Sequence, residues 1–265
     1  FTVPGNITAD SPGKWAVGGA VRLDGGSINL SLSEVESGAL SAKATGSLLF
    51  NTGKAIHLKD SAELAGATIQ LGAGNLVVDG SLTAVSKGDL LLGPVTIGKD
   101  LILEAAGSTQ QDGIWTVSGD SRLKSASISL ENTQNDFKGW LQLSGTKAKV
   151  ADADGLILKD CVLADLEVST DGKLSLFPGS QLGVTSGLTV KDQTAGANAG
   201  LELDFSGGVA NFGPQMSLGI QNAKAARIPY GNHLKKLQAL GIQADTLTLY
   251  QPGTGGPQNP PAPAA

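Results

Sequence analysis

The stretch that decides the fold runs from Ser108 to Val190 and reads STQQDGIWTVSGDSRLKSASISLENTQNDFKGWLQLSGTKAKVADADGLILKDCVLADLEVSTDGKLSLFPGSQLGVTSGLTV. Short aliphatic pairs with one polar residue between them recur along it, and Gly, Asp, Asn or Ser separates each pair from the next. Alternation over a few residues is typical of a short strand with one buried face. The stretch therefore predicts a stack of short strands.

Equivalent aliphatic positions recur about 20 residues apart, which is the spacing of a solenoid repeat. The matched positions are Ile69/Leu71 with Leu90/Leu92, Leu76/Val78 with Val95/Ile97, Leu156/Leu158 with Leu174/Leu176, Leu166/Val168 with Leu188/Val190, Leu82 with Leu101, and Leu101 with Leu123. A sandwich or barrel of hairpins needs longer strands and two-residue turns. The spacing instead favours an all-β, right-handed parallel β-helix, with coils of about 20 residues and a short C-terminal cap.

We expect three regions along the chain. Residues 1–205 keep the repeat and form the coils of the β-helix. Residues 206–250 form an end coil and a cap, with a short helix or turn from Asn232 to Gly241 and then a strand over Thr246–Tyr250. The helix is predicted from the spacing of Leu234, Leu237 and Leu240. Residues 251–265 are rich in Pro and Gly and predict a linker that leads into a further segment. The chain begins at Phe1 without a leader, which predicts a processed chain or a piece of a longer one.

Composition narrows the classes of function. The net charge is −5 and no basic patch is visible, which argues against a nucleic-acid partner. No run of 18 apolar residues predicts a transmembrane segment. Aromatic residues make up only 4% of the chain, so small aliphatic residues must fill the core. The single Cys161 lies in an aliphatic run and is expected to be a buried, unreactive thiol.

Few residues suggest chemistry. Asp152-Ala153-Asp154-Gly155 resembles the start of a calcium loop but lacks the remaining ligands, so we expect a turn with solvated acids. Asp160 with Asp165, and Glu34 with Glu36, are paired carboxylates of the kind that glycosidases use, but no cluster of basic or aromatic residues accompanies them. His57 is expected to point outward and His233 to begin the C-terminal helix. We predict no catalytic residue, no cofactor and no metal.

Three tryptophans are candidate glycan contacts, because an indole ring can stack on a sugar. They are Trp140, Trp15 and Trp115, of which Trp140, after Asn135-Asp136-Phe137-Lys138-Gly139, is the best candidate. The alternative for each ring is packing inside its coil or against a neighbouring coil.

The central run resembles the repeat region of filamentous-haemagglutinin-type exoproteins, the secreted partners of two-partner secretion systems in Gram-negative bacteria. The elements that carry the resemblance are Ser108–Gly113, Trp115–Asp120, Ile128–Asn132, Asn135–Gly139, Leu141–Gly145 and Val150–Ala153, followed by Leu156–Leu158. The Asn-Asp-Phe-x-Gly element at Asn135–Gly139 is the most specific of them. The match covers about a third of the chain well; the secretion domain and the toxin domain found in such proteins are not visible.

The resemblance implies a right-handed parallel β-helix that leaves the cell through an outer-membrane two-partner transporter. It implies a secreted or cell-surface adhesin segment, a rigid shaft for cell–cell, biofilm-matrix or host adhesion. The partner would be exopolysaccharide or a host or cell-surface glycan. Alternatives are the stalk of a contact-dependent growth inhibition toxin, a β-helical polysaccharide lyase or hydrolase, and, more distantly, a phage tail-spike segment.

Overall fold

The computed structural model describes residues 2–51, 55–72, 74–193, 200–213, 216–229 and 239–250. These residues form a parallel β-solenoid of about 11 turns, which confirms the predicted all-β parallel β-helix. They contain strands and no helix. The right-handed sense of the coil stays a prediction from the general preference of parallel connections.

The strands that the structure describes are β1 (Ile7–Val17), β2 (Val21–Gly25), β3 (Ile28–Ser37), β4 (Leu40–Ala44), β5 (Ser47–Phe50), β6 (Ala55–Leu58), β7 (Ala62–Gly66), β8 (Thr68–Leu71), β9 (Asn75–Val78), β10 (Leu82–Ser86), β11 (Leu90–Leu92), β12 (Val95–Ile97), β13 (Leu101–Gln111), β14 (Trp115–Val117), β15 (Ser121–Leu130), β16 (Asp136–Phe137), β17 (Trp140–Ser144), β18 (Lys147–Asp152), β19 (Gly155–Leu158), β20 (Cys161–Thr170), β21 (Lys173–Leu176), β22 (Gln181–Lys191), β23 (Glu202–Asp204), β24 (Val209–Phe212), β25 (Ser217–Pro229) and β26 (Ala239–Tyr250).

Each coil has three faces, and every strand pairs in parallel with the equivalent strand of the next coil. The coil of β10, β11 and β12 shows the arrangement: β10 pairs with β7 and β13, β11 with β8 and β13, and β12 with β9 and β14. We call the faces that contain β10, β11 and β12 the first, second and third face. Several strands are longer than the short strands that the sequence predicts, because they continue from one face to the next. In β13 this passage is marked by a register shift between Ala105 and Ser108.

The core consists of files of inward side chains that run along the stack. On the second face one file runs through every coil from β3 to β25 and is almost completely buried. Its members are Ile28, Leu48, Ile69, Leu90, Thr109, Ile128, Ala148, Leu166, Leu188 and Leu218. Each fully buried Leu or Ile stabilises the fold by about 1.5–3 kcal/mol. Since the files are shared between coils, stability depends on stacking.

The predicted registers are confirmed with one exception. The structure pairs Ile69/Leu71 with Leu90/Leu92 and Leu166/Val168 with Leu188/Val190. The predicted match of Leu101 with Leu123 is wrong, because Leu101 pairs with Ser121 and Leu103 pairs with Leu123. Ser121 points inward and is 1% exposed, so a serine occupies a position where the sequence pattern suggested an aliphatic residue.

The C-terminal prediction is correct for the strand and wrong for part of the helix. Thr246–Tyr250 lies in β26, as predicted. Leu240 and Gly241, the end of the predicted helix, also lie in β26, because Leu240 pairs with Leu218 and continues the second-face ladder. The rest of that helix, with His233, and the predicted linker 251–265 lie outside the described residues.

Candidate functional site: the outer surface around Trp140

A ladder of side chains along one corner positions Trp140. At the corner between the third and first faces, a side-chain oxygen of one coil accepts a hydrogen bond from a backbone N–H of the next. The members are Ser61 Oγ to Ser81 N (3.1 Å), Ser81 Oγ to Asp100 N (3.3 Å), Asp100 Oδ1 to Asp120 N (2.9 Å) and Asp120 Oδ1 to Trp140 N (3.2 Å). We call this series the corner ladder; it ends at Trp140 and fixes its backbone.

The Asn135–Gly139 element closes the coil just before Trp140. Asn135 is completely buried. Its Oδ1 accepts hydrogen bonds from Trp115 N (2.9 Å) and from the Gln111 side chain, and its Nδ2 donates to the carbonyl oxygens of Leu130 (3.3 Å) and Ala151 (3.2 Å). One amide therefore joins three successive coils. The Asn135–Gly139 element, the most specific part of the sequence resemblance, thus has a structural role, because its asparagine holds successive coils together.

The other residues of this element divide between inside and outside. Phe137 is buried in the core. A Cβ at Gly139 would lie 2.6 Å from the Gly119 carbonyl carbon and from Asp120 Oδ1, so only glycine fits there. Lys138 points outward, and its Nζ lies 2.8 Å from Asp136 Oδ1 and 3.0 Å from Asp154 Oδ2. The chain therefore leaves this turn in a fixed direction.

Trp140 belongs to a small apolar patch on the outer surface. It pairs with Ile157 of the next coil, and Ile157 pairs with Ser175 of the coil after that. The Lys159 ammonium lies 4.1 Å from the centroid of the Trp140 ring and 4.8 Å from that of Phe177. Phe177 is 37% exposed and Ile157 40% exposed. We call Trp140, Ile157, Lys159 and Phe177 the Lys159 platform.

The other two tryptophans differ from Trp140. Trp115 is 0% exposed, packs in the core, and donates from Nε1 to the Gly93 carbonyl oxygen at 3.0 Å. The prediction of a glycan contact at Trp115 is therefore wrong, because its ring replaces an aliphatic residue in the inward file that contains Val95. Trp15 is partly buried and packs against the core near the other end of the described solenoid. The structure does not bring Trp15 and Trp140 together.

The acidic residues at and beside the Asp152–Gly155 turn are paired with a lysine or buried. Carboxylate oxygens of Asp136, Asp152 and Asp154 lie within 4.8 Å of one another. Lys138 occupies the outer side of this cluster and bonds to two of the three, and these carboxylates raise the pKa of Lys138. The Lys138 ammonium therefore takes the place that a bound calcium ion would need.

Asp152 is not the solvated turn residue that the sequence suggested. Its side chain is 0% exposed; Oδ2 accepts from Phe137 N at 2.9 Å, and Oδ1 accepts from Gly155 N at 2.8 Å and Asp154 N at 3.2 Å. Burial raises the pKa of Asp152 to about 6, against these hydrogen bonds, which lower it. Asp152 follows Ala148 and Val150 at the inward positions of β18, which explains its burial.

This pKa shift links stability to pH. A carboxyl whose pKa is higher in the folded than in the unfolded state binds its proton more tightly when folded. Protonation of Asp152 therefore favours folding, and its contribution is lost as the pH rises from the ordinary value of 3.8 to about 6. Glu36 acts in the opposite sense in a lower range. Hydrogen bonds from Lys14 and Lys59 lower the pKa of Glu36 to about 2, so its contribution is lost as the pH falls from 4.5 to about 2.

The paired carboxylates are not arranged as an acid and base pair. Lys14 Nζ lies 3.0 Å from Glu34 Oε1 and 2.6 Å from Glu36 Oε2, so one lysine neutralises both. Asp160 is at a corner, where its Oδ1 accepts from Gln181 N at 3.1 Å. Asp165 lies farther along β20, beyond a register shift. A general acid needs a carboxyl with a raised pKa, and the low pKa of Glu36 is unsuited to that role.

The remaining predicted positions are as expected where the structure describes them. Cys161 is completely buried, and burial raises the pKa of its thiol to about 12. The side chain of His57 is 42% exposed, and its Nε2 lies 3.1 Å from Asp79 Oδ1 of the next coil. In the described part of the chain no helix has the length and hydrophobicity to cross a bilayer.

Comparison with known proteins gives one match. Residues 79–144 match a family described as "Repeats of unknown function (DUF5649)". The matched segment begins at the Asp79-Gly80 corner, contains the Asn135–Gly139 element and ends with β17. No curated protein and no solved structure matches the chain. About a quarter of the chain is thus similar to a repeat family, in agreement with its solenoid structure.

Proposed function

We propose that this chain is a segment of a large secreted or cell-surface adhesin of a Gram-negative bacterium, in which the β-helix is a rigid shaft. The observation that carries the proposal is the uninterrupted buried file from Ile28 to Leu218, which joins successive coils into one rod. A rod of this kind extends a surface away from its attachment point. It needs no catalytic pocket to do so.

The outer surface supports the same role. On the second face Glu131, Lys149, Glu167 and Lys191 alternate in charge along four coils, with N–O distances of 3.4, 3.7 and 2.6 Å between neighbours. The interaction with Lys191 and the nearby lysines lowers the pKa of Glu167. Each exposed pair contributes only about 0–1 kcal/mol, but a continuous series also disfavours slipped registers. We call this series the charge ladder.

Export through an outer-membrane two-partner transporter and a role in biofilm-matrix, cell–cell or host adhesion follow from the sequence resemblance and belong to this proposal. The proposed partner is a glycan, either exopolysaccharide or a host or cell-surface glycan. Of the predicted contact residues, Trp140 and Trp15 remain partly accessible.

Surface proteolysis of intact cells, followed by peptide mass spectrometry, tests the proposal. Peptides of this sequence should be released from a surface-exposed polypeptide many times larger than 26.7 kDa. A toxin domain downstream in the same polypeptide would instead assign the rod to a contact-dependent inhibition stalk. A freely soluble native chain of about this size would refute the adhesin, and cleavage of polysaccharide by it would assign a lyase or hydrolase.

A further inference from the structure

The Lys159 ammonium is held by aromatic rings instead of by a carboxylate. Many outward lysines of the described residues pair with acids of the same or a neighbouring coil, as Lys14, Lys138 and Lys191 do. Lys159 forms no such ion pair among the described residues; it lies over Trp140 and Phe177. Cation–π contacts fix its position but leave its positive charge uncompensated.

Apolar surface remains exposed next to this charge. Phe177 and Ile157 are each more than a third exposed, and they belong to successive coils on the same side of the rod. The nearest acid in sequence, Asp160, has its Oδ1 engaged by the backbone N–H of Gln181. The platform thus offers exposed apolar surface around an ammonium that lies over two aromatic rings. The corner ladder holds the backbone of Trp140, and the Leu158 O–Phe177 N hydrogen bond (2.8 Å) holds that of Phe177.

We propose that the Lys159 platform binds a carboxylated glycan, such as a chain that contains hexuronate residues; this rests on the proposed function in that it names the class of glycan. The C–H face of the sugar packs on Phe177 and Ile157, and its carboxylate pairs with Lys159. A neutral sugar would use only the apolar part of the surface. A charge-assisted hydrogen bond contributes more than a neutral one, so the carboxylate decides the preference.

Calorimetric titration of the chain with acidic oligosaccharides tests the proposal. The probes are oligosaccharides from polygalacturonate, alginate and hyaluronan, and the methyl ester of each is its neutral match. We expect at least one acidic probe to bind and its neutral counterpart to bind at least about tenfold more weakly. Lys159→Gln should weaken binding by about the same factor, and Lys159→Arg should largely retain it.

Two further variants and a folding check separate binding at the Lys159 platform from the effects of overall charge and of unfolding. Lys124→Gln removes an exposed lysine of the first face and should leave binding within about twofold, as a change in long-range charge alone is screened by salt. Phe177→Leu keeps the charge but removes the ring and should also weaken binding. Circular dichroism checks that each variant keeps the strand content of the parent.

The outcomes distinguish this inference from the proposed function. It is overturned if none of the three acidic probes binds, if the methyl ester binds equally well, or if Lys159→Gln binds like the unmodified chain. In each case a large surface-exposed native polypeptide would still support the shaft. Conversely, selective binding by a small soluble native chain would support the platform and refute the adhesin.

Discussion

Replacement of Asn135 by Ala should destabilise the solenoid far more than its size suggests. The substitution removes one buried amide and leaves three backbone groups without that partner: Trp115 N, Leu130 O and Ala151 O. These groups belong to three successive coils, and the residues that carry them are buried. The perturbation therefore loosens the contacts between coils, whereas a change in a local turn would not.

The magnitude follows from the cost of unpaired buried groups. Each buried donor or acceptor that loses its partner costs about 1–3 kcal/mol. Allowing for partial relaxation, three such groups give a loss of about 3–5 kcal/mol in the free energy of unfolding. Asn132→Ala is the matched control, because among the described residues the Asn132 side chain accepts a single exposed hydrogen bond, from Gln134 N at 2.9 Å. It should cost about 1 kcal/mol or less.

Urea unfolding followed by tryptophan fluorescence and circular dichroism measures both variants, with Trp115 as a buried reporter of the affected coils. Because solenoids can unfold coil by coil, amide hydrogen exchange should accompany it. Protection should fall first in β14, β16 and β18 of the Asn135→Ala variant. The reasoning is refuted if Asn135→Ala and Asn132→Ala differ by less than about 1 kcal/mol, or if protection falls equally in all coils.

Three further changes have defined outcomes. In urea titrations the free energy of unfolding should fall by up to about 3 kcal/mol between pH 4 and pH 7, because the pKa of Asp152 is about 6 in the folded chain and 3.8 ordinarily. Asp152→Asn should remove most of this pH dependence, and an unchanged dependence would contradict its assignment to Asp152. Gly139→Ala should cost about 1–3 kcal/mol, whereas Gly183→Ala, whose added Cβ would be 3.6 Å from the nearest atom, should cost less than 1 kcal/mol; equal costs would refute the close-approach argument. Lys149→Met should lower stability by about 1 kcal/mol at low salt and by almost nothing at 1 M NaCl, and a loss that persists in salt would mean that packing, rather than the charge ladder, is responsible.

The coil repeat could be predicted because aliphatic residues occupy most inward positions. Where a polar residue points inward, the sequence pattern misled. Ser121 shifted one predicted register by two residues, and Asp152 was assigned to solvent although it continues the inward file of Ala148 and Val150. In both cases the alternation of inward and outward positions along the strand indicated that the residue is buried. It was overridden by the expectation that polar side chains face water.

The candidate site was only partly predictable. Trp140 was identified from the preceding Asn135–Gly139 element, but Lys159 and Phe177 were not, since they come from the next two coils. Trp115 occupies the same strand position as Val95, an alignment that would have predicted its burial. The short helix was predicted from the spacing of Leu234, Leu237 and Leu240, but Leu240 is at a position that the ladder with Leu218 requires to be extended.

The direction of the ladder hydrogen bonds gives the rod a particular response to tension. In a parallel solenoid the bonds between coils run along the long axis, so a pull on the two ends puts all coil boundaries under tension together and the weakest one detaches first. A coil that detaches releases about 20 residues, or about 70 Å of extended chain, while the coils below it stay intact. The molecule would then lengthen in discrete steps under flow or traction and dissipate energy at each step. A tether between two surfaces could in this way survive loads that would break a bond at its tip.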